Sequence, residues 1–230
     1  MQIPSFSKRL SASDAAYFEI KRSITEWGYA PGVQLIEENL SKELEVSRTP
    51  LRQALYRLEL EGLIIRQPNG RIHVAPITIE EVEEIFKVRE VLEGLLAREA
   101  ALCLNVEHLQ RLEDVLALMR RAAEQNRNED MVKYGSDFHQ ILHDLSGNHT
   151  AKRFLEQLKS RIERYRRIGG YKNPGYDPMR PVIEHQQVFE AVRKGDADEV
   201  EEAMRMHIRQ SFHVAKETME MYLKQDEEEN

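Results

Sequence analysis

The 230-residue sequence predicts a mainly α protein in two parts: three helices closed by a β-hairpin, then an all-α antiparallel helical bundle. Three observations carry this expectation. β-prone runs are confined to one stretch, LIIRQPNGRIHVAPI, whose central Pro68, Asn69 and Gly70 give a hairpin signal. From Thr78 onward no strand signal appears, and apolar residues recur at helical spacing. Charge also divides the chain: residues 1–76 hold 10 Lys/Arg against 9 Asp/Glu, so the acidic excess behind the net charge of −7 lies C-terminal. The expected domains are 1–76 and 77–230.

The first helical pattern runs from Ser13 to about Trp27 with Ala16, Ile20 and Ile24 on one face, and Pro31 and Gly32 break it. A short helix, EENLSKEL, follows. After Glu45 and Val46 comes SRTPLRQALYRLELEG, in which Ser47 is a good N-cap, Pro50 is tolerated in the first turn and Gly62 fits just past the end. Helix, helix, turn, helix and hairpin together describe a winged helix-turn-helix. In such a motif the third helix enters the major groove, and its N-terminal residues reach bases and phosphates. Here that end carries Ser47, Arg48, Thr49 and Arg52. Arg48 and Arg52 share a helix face, and the arginine fork suits guanine edges and phosphate oxygens. Outside this setting such a pair reads as solvated surface. The acidic whole-chain balance does not exclude double-stranded DNA as partner, because a near-neutral region can present one basic face.

The stretch PGVQLIEENLSKELEVSRTPLRQALYRLELEGLIIRQPNGRIHV resembles the GntR family of bacterial transcriptional regulators. The resemblance implies DNA contacts at Ser47, Arg48, Thr49 and Arg52, with a wing tip at Asn69, Gly70 and Arg71. One position of the second helix that carries a DNA-contacting arginine in some members is Glu38 here.

In the second part, Thr78 with Glu81 and Asp196 with Glu199 form capping boxes that open long amphipathic helices. Further helices are predicted at about 106–125, 128–146, 149–168 and 179–194, separated by QNRNE, SGN, GGYKNPGYDP and KGD. A bundle of roughly six helices builds ligand sites from side chains that point inward. On the helix opened by Thr78, Arg89 projects into the stripe of Val82, Ile85, Phe86, Leu92 and Leu96, with Glu93 one turn on. By the same arithmetic Arg161 falls among Ala151, Phe154, Leu158 and Tyr165. A buried arginine needs a carboxylate, from the protein or from a ligand. Arg89, Glu93 and Arg161 are therefore candidates for an acidic effector; an Arg89–Glu93 structural pair and a snorkelling rim position for Arg161 are the alternatives.

His185 and His207 each sit at the centre of an apolar stripe, and His139 lies at the rim of the stripe of Met131, Tyr134, Phe138, Ile141 and Leu142. Singly these are hydrogen-bonded core histidines; together they suit a transition-metal or ligand site. His143 and Asp137 lie on outer flanks and read as surface residues, so the local H-x-x-x-H pair is not expected to chelate one ion.

Through VREVLEG, DFHQILHDLSGN and EHQQVFEAVRKGDADEVEEAMRMHI, residues 78–222 resemble the FCD ligand-binding domain of one large GntR subfamily. Many members bind a divalent metal through one aspartate and three histidines, completed by a small carboxylate. The histidines carry over to His139, His185 and His207 and an arginine to Arg89. The aspartate does not carry over, because its position is Gly135. Three histidines can still hold zinc or nickel; a metal-free pocket is the alternative. The resemblance implies a homodimeric regulator, a repressor in the usual case, on a pseudo-palindromic operator and responsive to a small organic acid. A metal-dependent hydrolase or lyase is the competing class. Against it stand the absence of any inward carboxylate other than Glu93 placed as a general base and the lack of a glycine-rich phosphate loop.

The single Cys103 excludes an intrachain disulfide, and no apolar run approaches the roughly 20 residues of a membrane span. The opening MQIPSFSKRL lacks the apolar segment of a secretory signal. A cytoplasmic protein without a membrane partner is expected.

Overall fold

The computed structural model describes residues 10–173 and 175–229, without the side chains of 169–172 and 225–229. The chain splits into two compact units between Pro76 and Ile77.

The first unit is a winged helix-turn-helix. It comprises α1 (Ala12–Thr25), β1 (Gln34–Leu35), α2 (Glu37–Glu43), α3 (Arg48–Leu60), β2 (Ile64–Arg66) and β3 (Ile72–Val74). Ser11 caps α1, its hydroxyl accepting from the Asp14 amide. The tight turn between α2 and α3 places Glu45 at φ 54°, in the left-handed region. Ile20 and Ile24 of α1 meet Leu51, Leu55 and Leu58 of α3 in a core that also takes in Leu35, Ile72 and Val74. The strands form an antiparallel sheet in the order β1-β3-β2, with Gln34 opposite His73 and Ile64 opposite Val74. The two-residue β1 was not expected from the sequence; it exists because β3 offers its second edge to the segment read as a break.

The second unit holds six helices among the described residues: α4 (Ile79–Ala101), α5 (Val106–Glu124), α6 (Asn128–Ser146), α7 (His149–Lys172), α8 (Met179–Lys194) and α9 (Ala197–Glu229). The two capping boxes act as read: the Thr78 hydroxyl accepts from the Glu81 amide, and the Asp196 carboxylate accepts from the Glu199 amide. Gly147 and Gly195, at φ 70° and 82°, end α6 and α8 in left-handed caps that a side chain would strain. α4 packs against α6, α7 and α9, while α5 packs against α6 and α8. The inward faces of α4, α6, α8 and α9 thus converge on one polar interior. No helix of the described residues is long and apolar enough to cross a membrane.

Candidate functional site

In the first unit, Ser47, Arg48 and Thr49 are exposed at the start of α3, and Asn69, Gly70 and Arg71 are exposed at the tip of the β2–β3 hairpin. Ser47 occupies the N-cap position, yet its hydroxyl caps nothing. It differs in this from the sequence expectation, and its hydroxyl remains outside the helix's own hydrogen bonding. Arg52 is exposed but not loose, since its Nε donates to Glu37 Oε2 of α2 at 2.9 Å. Gly70, at φ 81°, closes the wing turn by donating its amide to the Gln67 carbonyl (2.8 Å), and Asn69 Oδ1 accepts from the Arg71 amide (3.0 Å). Glu38 is engaged with Lys42 one turn along α2.

In the second unit the polar interior starts from Arg89, 1% exposed, whose Nε donates to Glu93 Oε1 at 3.2 Å while Nη1 has no partner. The same-helix pair left open by the sequence therefore exists, but it leaves the guanidinium incompletely satisfied. The other carboxylate oxygen of Glu93 meets His139 Nδ1 at 2.9 Å and His143 Nε2 at 2.7 Å. Burial alone would raise the Glu93 carboxyl; the His139 and His143 rings outweigh it and hold the carboxyl well below the usual range.

His139, His185 and His207 are all buried, and their rings stand 4.3 to 5.2 Å apart centre to centre. His185 Nδ1 lies 2.7 Å from the Pro181 carbonyl, which can only accept, so Nδ1 carries the proton and Nε2 a lone pair. Glu93 fixes His139 in the same tautomer, and Glu184 Oε2, 3.1 Å from His207 Nδ1, does so for the third ring when its carboxyl is ionised. Burial lowers His139 to about 4 and takes His185 and His207 well below the ordinary imidazole value. All three are neutral at pH 7. His139 Nε2 and His207 Nε2 face each other at 3.3 Å, and His185 Nε2 is a buried atom without a hydrogen-bond partner. Three lone pairs pointed at one spot repel unless a cation receives them. With each Nδ1 anchored by an acceptor, the arrangement has the outer hydrogen bonds that orient metal-ligating imidazoles. These three residues fit a divalent cation, whereas the second grouping of Glu93, His139 and His143 is already closed by its own hydrogen bonds.

The structure thus brings Arg89, Glu93, His139, His185 and His207 together. It does not bring Arg161 to them: that side chain forms an ion pair with Glu81 on a partly exposed flank. Of the stripe read in the sequence, Ala151 and Tyr165 are buried but Phe154 is exposed, and Leu155 and Ile162 are buried beside them. His143 is corrected in the other direction, since Glu93 draws it to the interior as a half-buried residue; Asp137 is exposed.

Sequence reasoning missed Arg166 of α7. Its Nη1 donates to the Ser136 hydroxyl at 2.9 Å, and a Cβ added at Gly135 would stand 2.8 Å from Arg166 Nη2 and 3.4 Å from His185 Nε2. A guanidinium therefore fills the space that a side chain at 135 would enter. Glu184, pushed up to about 7 by burial against the pull of Arg180, was also missed, although it directly precedes His185. Two cavities border this centre and Arg166 lines both. One, of about 170 Å³, lies toward α5, α8 and α9; the other, of about 120 Å³, lies among α4, α6 and α7.

Residues 12–74 match the family model described as bacterial regulatory proteins, gntR family, and residues 84–210 match that of the FCD domain. The HTH-type transcriptional repressor RspR of Escherichia coli (strain K12) is 30% identical over 198 residues, covering 84% of this chain and 84% of its own length. The HTH-type transcriptional regulator YdhC of Bacillus subtilis (strain 168) is 30% identical over 199 residues, 85% of each chain. Among solved structures, E. coli McbR/YncC superposes with a TM-score of 0.75 at 21% identity, over 90% of this chain and 98% of the other.

Proposed function

The chain belongs to the gntR family of bacterial regulatory proteins and carries its FCD domain, which makes it a DNA-binding transcriptional regulator and not an enzyme; from that premise we propose that it is a repressor released from its operator by a small carboxylic acid. The proposed reader is Ser47, Arg48, Thr49 and Arg52 in the major groove, with Asn69, Gly70 and Arg71 on the wing. Two copies in a cytoplasmic homodimer would read the two halves of a pseudo-palindromic site.

The observation that carries effector control is the buried convergence of three neutral imidazoles beside two guanidiniums, a polar interior that a merely structural bundle does not need. His139, His185 and His207 would hold a zinc or nickel ion. When bound, the ion supplies a Lewis acid on which a carboxylate can settle. Glu93, Glu184 and the Pro181 carbonyl keep the three rings in the ligating tautomer. Arg89 is buried beside them with its Nη1 unpartnered. Effector control requires the acid to bind the DNA-competent and DNA-incompetent dimers with different affinity.

The test is an electrophoretic shift on the protein's own promoter region, with and without a panel of small carboxylic acids. A specific shift that at least one acid abolishes is expected. No specific shift would refute the regulator's proposed target, and a shift indifferent to every acid would refute effector control. Protein purified without chelator should carry near one divalent ion per chain by elemental analysis, and His185→Ala should lose it.

A further inference from the structure

Among the ion pairs of the described residues in the first unit, one bridges the two helices of the helix-turn-helix. Arg52 of α3 donates its Nε to Glu37 Oε2 of α2 at 2.9 Å. Glu37 is the first residue of α2, and its side chain is 24% exposed against 64% for Arg52. The acid is therefore the better-fixed member of the pair, and the guanidinium is the member that it restrains. Neither Nη of Arg52 donates a hydrogen bond among the described residues. Arg48, one turn earlier on the same face of α3, has no partner among them, so the restraint singles out Arg52.

An exposed pair of this kind adds little to stability. Its effect is on where the fork points. A guanidinium has two edges that can donate a pair of parallel hydrogen bonds: Nε with one Nη, and Nη1 with Nη2. With Nε committed to Glu37, the Nη1–Nη2 edge is the one left for DNA. Guanine offers O6 and N7 to such an edge in the major groove. A phosphate accepts from either edge, and an unrestrained arginine can swing to it. The Glu37 carboxylate also repels the phosphate oxygens at close range, whereas a neutral base edge meets no such repulsion.

We infer that Glu37 is a positioning residue for sequence readout: it holds Arg52 back from the phosphate backbone and presents the Nη1–Nη2 edge to a guanine. This rests on the reading that Arg52 belongs to the DNA reader, and it adds the residue that decides between a base contact and a phosphate contact.

The full-length protein and its Glu37→Ala, Glu37→Gln and Arg52→Ala variants each select duplexes from a pool with a randomised centre. The selected duplexes and their single-base variants are then titrated over a range of salt, with folding checked by circular dichroism. A bidentate arginine contact discriminates its base by about 5–150-fold. Arg52→Ala should lose a guanine preference at one position of each half-site. Glu37→Ala should lower that same preference at least about threefold while binding the unselected pool more tightly, and its log K should fall more steeply with log salt, by about one unit of slope, as the freed Arg52 takes up a phosphate. Glu37→Gln keeps an oxygen for Nε and should retain more of the preference than Glu37→Ala. In the Arg52→Ala background, Glu37→Ala should change base preference no further. An undiminished guanine preference in folded Glu37→Ala, a loss spread evenly over every sequence, or a glutamine variant no better than alanine overturns the inference and leaves Arg52 in the reader. Unchanged base preferences in Arg52→Ala remove Arg52 from the reader, and the inference falls with it.

Discussion

Gly135→Asp tests the metal reading most directly, because the structure says where the new side chain goes. The added Cβ would stand 3.4 Å from His185 Nε2, so the carboxylate beyond it reaches the spot on which the three imidazoles converge. The same Cβ would come within 2.8 Å of Arg166 Nη2, which is the far end of a flexible side chain and can swing aside. The cost to the fold is small. The bond from Arg166 to Ser136 is worth about 2 kcal/mol when a charged donor is involved, and a new Asp–Arg pair replaces it. In a helix interior, aspartate is a few tenths of a kcal/mol better than glycine. The ion-free variant should therefore stay within about 1 kcal/mol of the parent. Metal affinity should rise. Outer-shell partners of metal ligands are each worth about 10–100-fold in affinity, and a direct carboxylate ligand should supply at least that, or about 1.4–2.7 kcal/mol. The assay is competition for zinc and nickel between a calibrated chelator and stripped protein, for the parent, Gly135→Asp and Gly135→Ala. The alanine variant crowds Arg166 equally but offers no ligand atom. If both variants bind alike, or if Gly135→Asp binds more weakly than the parent, position 135 does not face the ion and the reasoning fails.

Arg52→Ala should weaken operator binding by about 1–3 kcal/mol and relax discrimination at one position of each half-site, as read by shift titrations on single-base operator variants; a uniform loss on every sequence would reduce Arg52 to a phosphate contact. Leu55→Ala, at a fully buried position of the first unit, should cost about 2–5 kcal/mol there and abolish the shift while leaving metal content unaltered; loss of both would contradict the division into two units. Chelator-treated protein should lose stability to urea as pH falls from 6.5 to 4. His139 is lowered from 6.5 to about 4, so its contribution is complete above the unfolded value and is lost as pH drops toward the folded one, at most about 3 kcal/mol for that ring. Glu184, raised to about 7, works in the opposite sense and loses its contribution as pH rises, but three buried imidazoles outnumber it. A flat profile between pH 4 and 6.5 would mean that the rings are not buried neutral.

What the sequence made legible was local. The α3 boundaries, the hairpin tip and both capping boxes depend on residues within one or two turns of each other, and periodicity placed His139, His185 and His207 on inward faces because each helix has one apolar stripe. Arg161 and Arg166 show where that reasoning stops. With Leu155 and Ile162 as reference at 100° per residue, Arg166 lies about 30° from the middle of the buried stripe of α7 and Arg161 about 110° from it. Periodicity alone would favour Arg166 once the stripe is drawn through those two residues. Packing agrees: Arg161 faces Glu81 of α4, while Arg166 faces Ser136 and Gly135 of α6. Exposed Phe154 biased the stripe toward Arg161. His143 was misplaced because its inward turn depends on Glu93 of a neighbouring helix. Gly135 combines both cases. Its missing carboxylate is visible as a letter in the sequence, but the residue that fills the vacated space arrives from a helix about 30 positions downstream, and only the packing of α7 on α6 reveals that a cation stands where an anion was expected.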